Sequence, residues 1–392
     1  MMRKALRAFA FIMLMLCSVA YATQIAEIPF APISPVVMGR GGSTVATVQG
    51  FDSFFYNPAG LSLGSGGFTT SSTSWIYSRP DLLISQAAQL ALGTTNPTAT
   101  FNFLSSQVTS GGFGGGSSIG IGYISGGFGL GAAFIIDSQL YGQSMLGCTG
   151  DITATLGFMS GLSIPFDLMG IRVHVGGDVR PMIRIHALIP NSSAIALVNA
   201  IANGGDIAAA LSSTPAVYGS GIGLDLGLIG EAGWFSFGLS IRDLGGTTFA
   251  YSANSFGSVT GNLTMQGSLP AGSSVSDTYT IPMDIGVGFA FHPILGSFSH
   301  FLDPRISLDF RNINGAINGT TLFLTCIHAG AELEVFNLLV LRAGVNQGYL
   351  TAGAGMKLFV FDLNMAVFTQ ELGEHLGDRP NACITFNADI KI

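Results

Sequence analysis

The chain has 392 residues, of which 48% are hydrophobic, only 9% are charged and 55 are glycine. Soluble domains carry about 25% charged residues, so this chain has too few charges to wet a soluble surface, and its hydrophobicity excludes a disordered chain. No stretch beyond the leader supplies the ~20 unbroken apolar residues of a spanning helix. The remaining way to satisfy every backbone group in a bilayer is a closed β-barrel.

Residues 1–22 carry Arg3, Lys4 and Arg7, an apolar run from Ala8 to Leu16, and the small-x-small ending Ala20-Tyr21-Ala22. This pattern reads as a cleavable secretory signal peptide. Its removal takes the formal charge from −7 to −10, leaving no basic footprint for nucleic acid. The remaining cysteines, Cys148, Cys326 and Cys383, are widely spaced with no C-x-x-C, so at most one disulfide is available and none is needed.

Residues 23–65 do not alternate. They run through Pro29, Pro32 and Pro35 and through Met38-Gly39-Arg40-Gly41-Gly42, then end in Phe51-Asp52-Ser53-Phe54-Phe55-Tyr56-Asn57-Pro58-Ala59-Gly60-Leu61. An aromatic cluster ahead of the first strand, in a chain whose strands already turn apolar faces to lipid, is expected inside the barrel as a hatch or plug. Proline and glycine suit its tight bends.

From residue 66 to 392 strand signals recur, beginning near 66, 98, 117, 128, 151, 170, 215, 232, 279, 303, 322, 338, 349, 359 and 381. Bacterial single-chain barrels are even-numbered. The expectation is therefore an all-β fold, a transmembrane antiparallel β-barrel of about 14 strands with an N-terminal lumenal hatch and short helices in the outer loops. Asp81–Leu92 and Ala194–Leu211 have helical spacing, the second hinged at Gly204-Gly205. Tyr251–Asp277, rich in Gly, Ser, Asn and Thr, reads as a long outer loop. The clearest strand is Tyr279 to His292, with seven large apolar residues from Tyr279 to Phe291 at period two. In the later strands, large residues such as Leu226, Leu333 and Phe361 oppose Gly, Asp, Glu and His, so the large ones are assigned to lipid and the small and charged ones to the lumen.

Three features together resemble the FadL superfamily of outer-membrane channels for hydrophobic compounds, and more closely its spirochaete-type branch. They are Met38-Gly39-x-Gly41-Gly42 followed by Ala46, the aromatic-Asn57-Pro58-Ala59-Gly60-Leu61 block, and the run from Arg342 to Gly355 continuing to Glu371-Leu372-Gly373. The resemblance implies a 14-stranded barrel, a hatch carrying the Asn-Pro-Ala motif, and diffusion of long-chain fatty acids or similar molecules through the lumen and a side opening. It extends to PorV-like barrels that serve protein secretion, so a scaffold for a protein partner stands as the alternative function.

On either reading the protein sits in the bacterial outer membrane among lipids. For the channel, Phe51, Phe54, Phe55, Tyr56, Asn57, Pro58, Ala59 and Gly60 are candidate hatch or ligand residues. The same set reads equally as hatch core plus a plain Asn-Pro turn. Arg172, His174, Arg180, Arg184 and His186 share parity along one strand region and are candidate lumen contacts for the headgroup of a fatty acid-like ligand. They also read as an ordinary polar lumen wall paired with Asp178, Glu332 and Glu334. Gly176-Gly177 and Pro181 mark a candidate interruption of that strand. No cofactor or metal is expected: the histidines have no carboxylate or thiol at ligand spacing, and Gly221-x-Gly223 opens no helix. No Ser/His/Asp set is evident from spacing, and a non-enzyme is expected, because a catalytic site requires convergence in space.

Overall fold

The computed structural model describes residues 24–64, 66–78, 97–109, 111–319, 321–372 and 376–392. The expected signal peptide of residues 1–22 and the expected helix Asp81–Leu92 lie outside them.

Among the described residues, 14 antiparallel strands close into a barrel. They are β1 (Gly67–Tyr77), β2 (Phe113–Ser125), β3 (Phe128–Tyr141), β4 (Thr149–Leu168), β5 (Ile171–Ile189), β6 (Pro215–Ala232) and β7 (Phe235–Arg242 resumed at Thr247–Ser255). The circuit continues through β8 (Thr278–Ile281 resumed at Asp284–Phe291), β9 (Leu302–Phe310), β10 (Ile327–Val335), β11 (Leu339–Asn346), β12 (Tyr349–Leu358), β13 (Phe361–Glu371) and β14 (Pro380–Lys391). Closure comes from β14 pairing with β1, Cys383 opposite Tyr77 through Lys391 opposite Thr69.

Period-two alternation explains the faces. Ile222, Leu224, Leu226 and Leu228 of β6 project outward, while Asp225 between them is 1% exposed. The inner-end turns are short and left-handed, as at Gly126-Gly127 and Met169-Gly170, and the opposite end carries the long connections, as is usual for such barrels. Those connections hold helices Asn191–Asn203, Ile207–Leu211 and Phe256–Gln266. The first two match the expected pair, with Gly204 left-handed at φ 66° and Asp206 accepting from the backbone N–H groups of Ala208 and Ala209.

Three expectations are corrected. The strand signal near 98 is a helix, Pro97–Thr109. Its buried residues Phe103, Leu104, Gln107 and Val108 follow helical spacing; Phe103, Leu104 and Val108 cluster with Leu197 and Val198 of Asn191–Asn203, and Gln107 Oε1 accepts from the Ser78 hydroxyl. The expected loop Tyr251–Asp277 begins as the end of β7 and continues as the helix Phe256–Gln266, where Ser255 Oγ accepts from Ser258 N–H. The seven-residue alternation from Tyr279 does not keep one face: Tyr279 and Ile281 are buried in the lumenal cluster, whereas Val287 is 39% exposed on the outside. The ladder breaks between Ile281 and Asp284, where Pro282 has no N–H to donate, and an irregularity of this kind re-aims every side chain beyond it. A matching break lies at 243–246 in β7, with Asp243 at φ 49°. Strand β5 is continuous through Gly176-Gly177, whereas its ladder to β4 lapses at Pro181, between the pairs Gly157–Met182 and Ser160–Val179.

The wall is uneven, with β4 and β5 at 20 and 19 residues but β9 and β11 at 9 and 8. Because β9 pairs only with Val287–Phe291, the outer half of β8 has a bare edge. The three-residue strand Gln24–Ala26 covers it, parallel to Thr278–Thr280.

Candidate functional site

From that edge the chain descends into the lumen. Glu27 is fixed by three wall groups: Arg184 Nη1 at 3.1 Å, His186 Nδ1 at 2.9 Å and the Tyr251 hydroxyl at 3.1 Å. Burial raises the Glu27 pKa, but the hydrogen bond and charge of His186, then Arg184 and Tyr251, outweigh it and hold the carboxyl below its usual value. Residues 30–62, within the segment read from the sequence as a hatch and called so below, fold into Pro35–Gly39, Ser53–Tyr56 and 3-10 turns at Gly50–Asp52 and Pro58–Ser62. Phe51 packs edge-on against Phe54 and Phe55, and Phe30 against Phe55. All four are at most 7% exposed.

The hatch is bolted to the wall by buried polar groups. Asn57, fully buried, donates from Nδ2 to Val45 O at 2.7 Å and to Leu239 O of β7 at 3.3 Å, and its Oδ1 accepts from Ala59 N–H at 3.1 Å. The Asp309 carboxylate on β9 accepts from the backbone N–H groups of Thr44 and Val45. His328 Nδ1 lies 3.0 Å from Gly41 O. At other points of close approach between hatch backbone and wall, the wall residue is glycine: a Cβ at Gly176 would lie 2.5 Å from Pro58 O.

Above the hatch lies a cavity of about 340 Å³, near the lower end of the roughly 300–1,000 Å³ typical of small-molecule sites. Phe30, Ile33, Met38, Tyr56, Trp75 and Tyr77 supply its apolar side; Asp137, Gln139, Arg184, Arg242 and Arg311 supply the polar side. The Tyr56 ring sits between two guanidinium groups, with Arg242 Cζ 5.9 Å and Arg311 Cζ 5.8 Å from its centre. Arg242 is 3% exposed, and its buried Nη2 has no hydrogen-bond partner. Arg311 is held only loosely, 3.6 Å from Asp284 and 3.4 Å from Gly42 O. A buried cation short of partners, facing an aromatic-lined cavity, suits an anionic group on an apolar molecule.

The candidates named from sequence are thus distributed. Phe54, Phe55, Pro58, Ala59 and Gly60 are hatch interior, Phe51 lines a separate cavity at the inner mouth, and Tyr56 alone of the block lines the cavity above the hatch. Of the five basic residues, Arg184 lines that cavity. Arg180 is enclosed by Asp178, Asp225 and Asp243. His186 is committed to Glu27, His174 sits near the inner rim, and Arg172 is exposed at the inner end of β5. Sequence reading missed Arg242 and Arg311. Parity points to Arg311, since Asp309 two residues earlier is lumenal, but Arg242 stands at the break in β7, where alternation stops being informative.

The inner mouth holds a cavity of about 300 Å³ lined by Asp52, Asp389 and Lys391 among others. Burial, then the Asp389 carboxylate, push the Asp52 carboxyl up to about 6, against Lys391, Arg40 and Arg342. A carboxyl raised on folding stabilises the seated hatch fully below its free value of 3.8, and that contribution is lost as pH rises through about 6. The hatch is therefore expected to become more protease-sensitive between pH 4 and 7, and Asp52→Asn is expected to flatten that dependence. An unchanged slope in limited proteolysis of the variant would show that Asp52 is not its source.

No protein-family model matches the chain, and no curated protein matches it. Solved structures do. The Ralstonia pickettii toluene transporter TbuX superposes with a TM-score of 0.51 at 13% identity, covering 92% of this chain and 98% of that one. The monoaromatic hydrocarbon channel CymD gives 0.51 at 13%, covering 93% and 99%. A Pseudomonas aeruginosa FadL homologue gives 0.48 at 10%, covering 93% and 99%. At such identities the likeness is one of fold: over nearly its whole length, the chain shares the barrel fold of TbuX and CymD.

Proposed function

We propose that the chain is an outer-membrane channel for passive uptake of hydrophobic small molecules, with long-chain fatty acids as the substrate class. The hydrocarbon and FadL-type barrels that share its fold support the channel reading. The observation that carries it is the cavity above the hatch, an aromatic and aliphatic chamber with Arg242 and Arg311 at one side. An acyl chain gains about 0.8 kcal/mol per buried CH2, and the carboxylate meets two guanidinium groups. A monoaromatic hydrocarbon has no group to use them, which favours an acid over the neutral substrates named for TbuX and CymD.

The reading is tested on the purified barrel with palmitate and its methyl ester. Palmitate is expected to bind more tightly than the ester, and Arg242→Leu with Arg311→Leu is expected to weaken palmitate about tenfold or more while leaving the ester unchanged, since a charge-assisted bond is worth about 1.5–3 kcal/mol. Equal binding of acid and ester by the wild type would discard the headgroup assignment. Failure of both to bind, with a stoichiometric protein co-purifying, would favour the scaffold.

A further inference from the structure

We propose that Ser62, His174 and Glu231 at the inner rim form a hydrolytic site for esters of hydrophobic acids, an activity separate from the channel and independent of it. Ser62 ends the 3-10 turn Pro58–Ser62 of the hatch, in the segment Gly60-Leu61-Ser62-Leu63-Gly64. That segment reads G-x-S-x-G, the spacing that exposes a nucleophilic serine on a tight turn. Here the turn joins hatch to barrel rather than strand to helix, and both glycines are required by it. A Cβ at Gly60 would lie 2.6 Å from Ser53 Oγ, and Gly64 has φ +86°.

The geometry supplies what sequence spacing concealed. Ser62 Oγ lies 2.7 Å from His174 Nδ1, and His174 Nε2 lies 3.2 Å from Glu231 Oε2. Nucleophile, base and orienting carboxylate come from three segments, the hatch, β5 and β6, and such sets are recognised by geometry and role rather than by chain order. Donation of Nε2–H to Glu231 selects the tautomer whose Nδ1 lone pair faces the serine hydroxyl. His174 is 2% exposed, while the Glu231 side chain is 41% exposed, so the base is shielded and the carboxylate sits at the rim. Ser163 Oγ lies 2.7 Å from Ser62 Oγ and 2.8 Å from Ala59 O; with the Ser62 proton directed to His174 Nδ1, the single Ser163 proton bridges to Ser62 Oγ, and rotation of that hydroxyl aims it at an oxyanion beside the nucleophile. The two residues after Ser62, Leu63 and Gly64, line the inner-mouth cavity, where Phe51, Phe68 and Ile124 stand beside Asp52, Asp389 and Lys391, so an acyl chain meets a few apolar groups within a charged mouth.

In the reaction Ser62 Oγ adds to the ester carbonyl carbon and its proton passes to His174 Nδ1. The C–O bond to the alcohol breaks, and the alcohol leaves with that proton. Water then gives a proton to His174 and adds its oxygen to the acyl carbon. The free acid departs, and Ser62 recovers its proton. The only co-reactant is water.

The test uses the folded full-length barrel in detergent, a fluorophosphonate probe, and p-nitrophenyl butyrate and decanoate. The probe is expected to attach to Ser62, located by peptide mass spectrometry, and ester turnover is expected to fall at least ~100-fold in Ser62→Ala. Glu231 is a positioning residue whose side chain is 41% exposed: Glu231→Gln is expected to lower kcat about tenfold or more with KM unchanged, and to slow probe attachment in parallel. A folded wild type that the probe leaves unlabelled at Ser62, or turnover equal in wild type and Ser62→Ala, would overturn the proposal and reduce the three residues to a tie between hatch and wall.

Discussion

Gly227→Leu is expected to unseat the hatch while leaving the barrel closed. Gly227 of β6 faces the lumen directly opposite Gly176 of β5, and together they form a flat bed for Asn57, Pro58 and Ala59. A Cβ at Gly227 would fall on Asn57 Oδ1 and lie 2.9 Å from Ala59 N and 3.0 Å from Pro58 Cδ. The rest of a leucine has no space except where Asn57 sits. Overpacking costs about 1–3 kcal/mol. Expelling Asn57 strips Val45 O and Ala59 N–H of their partners at about 1–3 kcal/mol each. The sum is large enough to favour a displaced hatch, so single-channel conductance across a planar bilayer should rise well above the wild-type level and protease should reach residues 42–62. Gly230→Ala, on the same strand with Ile171 Cγ2 no nearer than 3.6 Å, should behave as wild type. A Gly227→Leu barrel as resistant and as silent as wild type would mean that the wall yields rather than the hatch.

Arg180→Leu is expected to damage the barrel itself. Its guanidinium is fully buried and bonded to Asp225, 3.2 Å from Asp243 and 3.5 Å from Asp178. Asp225 also accepts from Asp243 N–H at 2.7 Å, and Asp243 from Thr247 Oγ1 at 2.7 Å, so this cluster holds the break in β7 in place. Without Arg180, three buried carboxylates face only Arg242, whose Nε is 3.7 Å from Asp225. Removing one partner of a buried ion pair costs about 3–5 kcal/mol, whereas replacing both partners with apolar groups is often neutral. Urea unfolding from lipid vesicles should show that loss for Arg180→Leu and a partial recovery for Arg180→Leu/Asp225→Leu. A loss below about 1 kcal/mol, or no recovery, would contradict the assignment of Arg180 as the cluster's central charge.

Both predictions rest on residues whose role was illegible in the sequence. Gly227 read as one of many small lumenal residues, and nothing local distinguishes it from Gly223 on the same face; the difference is that hatch backbone passes within contact of Gly227, whereas wall side chains stand at Gly223. Arg180 read on parity either as a ligand contact or as part of a polar wall paired with acids such as Asp178; it does turn inward beside Asp178, but parity carries no information on Asp225 and Asp243 from the neighbouring strands. The helix Pro97–Thr109 was misread for a related reason: its Thr- and Phe-rich sequence has strand propensity, and packing against Asn191–Asn203 decides in favour of the helix. Ser62, His174 and Glu231 are separated by 112 and 57 residues, and no spacing rule spans such intervals.

By itself the sequence determined the barrel, its antiparallel alternation, the sign of each face in regular strands, and an N-terminal segment that does not belong to the wall. Those follow from period-two hydrophobicity and from the need to satisfy every backbone group in lipid, both of which act over a few residues at a time. Tertiary structure alone decided where β7 and β8 break, which glycines bed the hatch, which arginines are left facing the cavity, and which serine meets a histidine. These depend on strand register and closure, through which residues hundreds of positions apart, such as Thr44 and Asp309, come within hydrogen-bond reach.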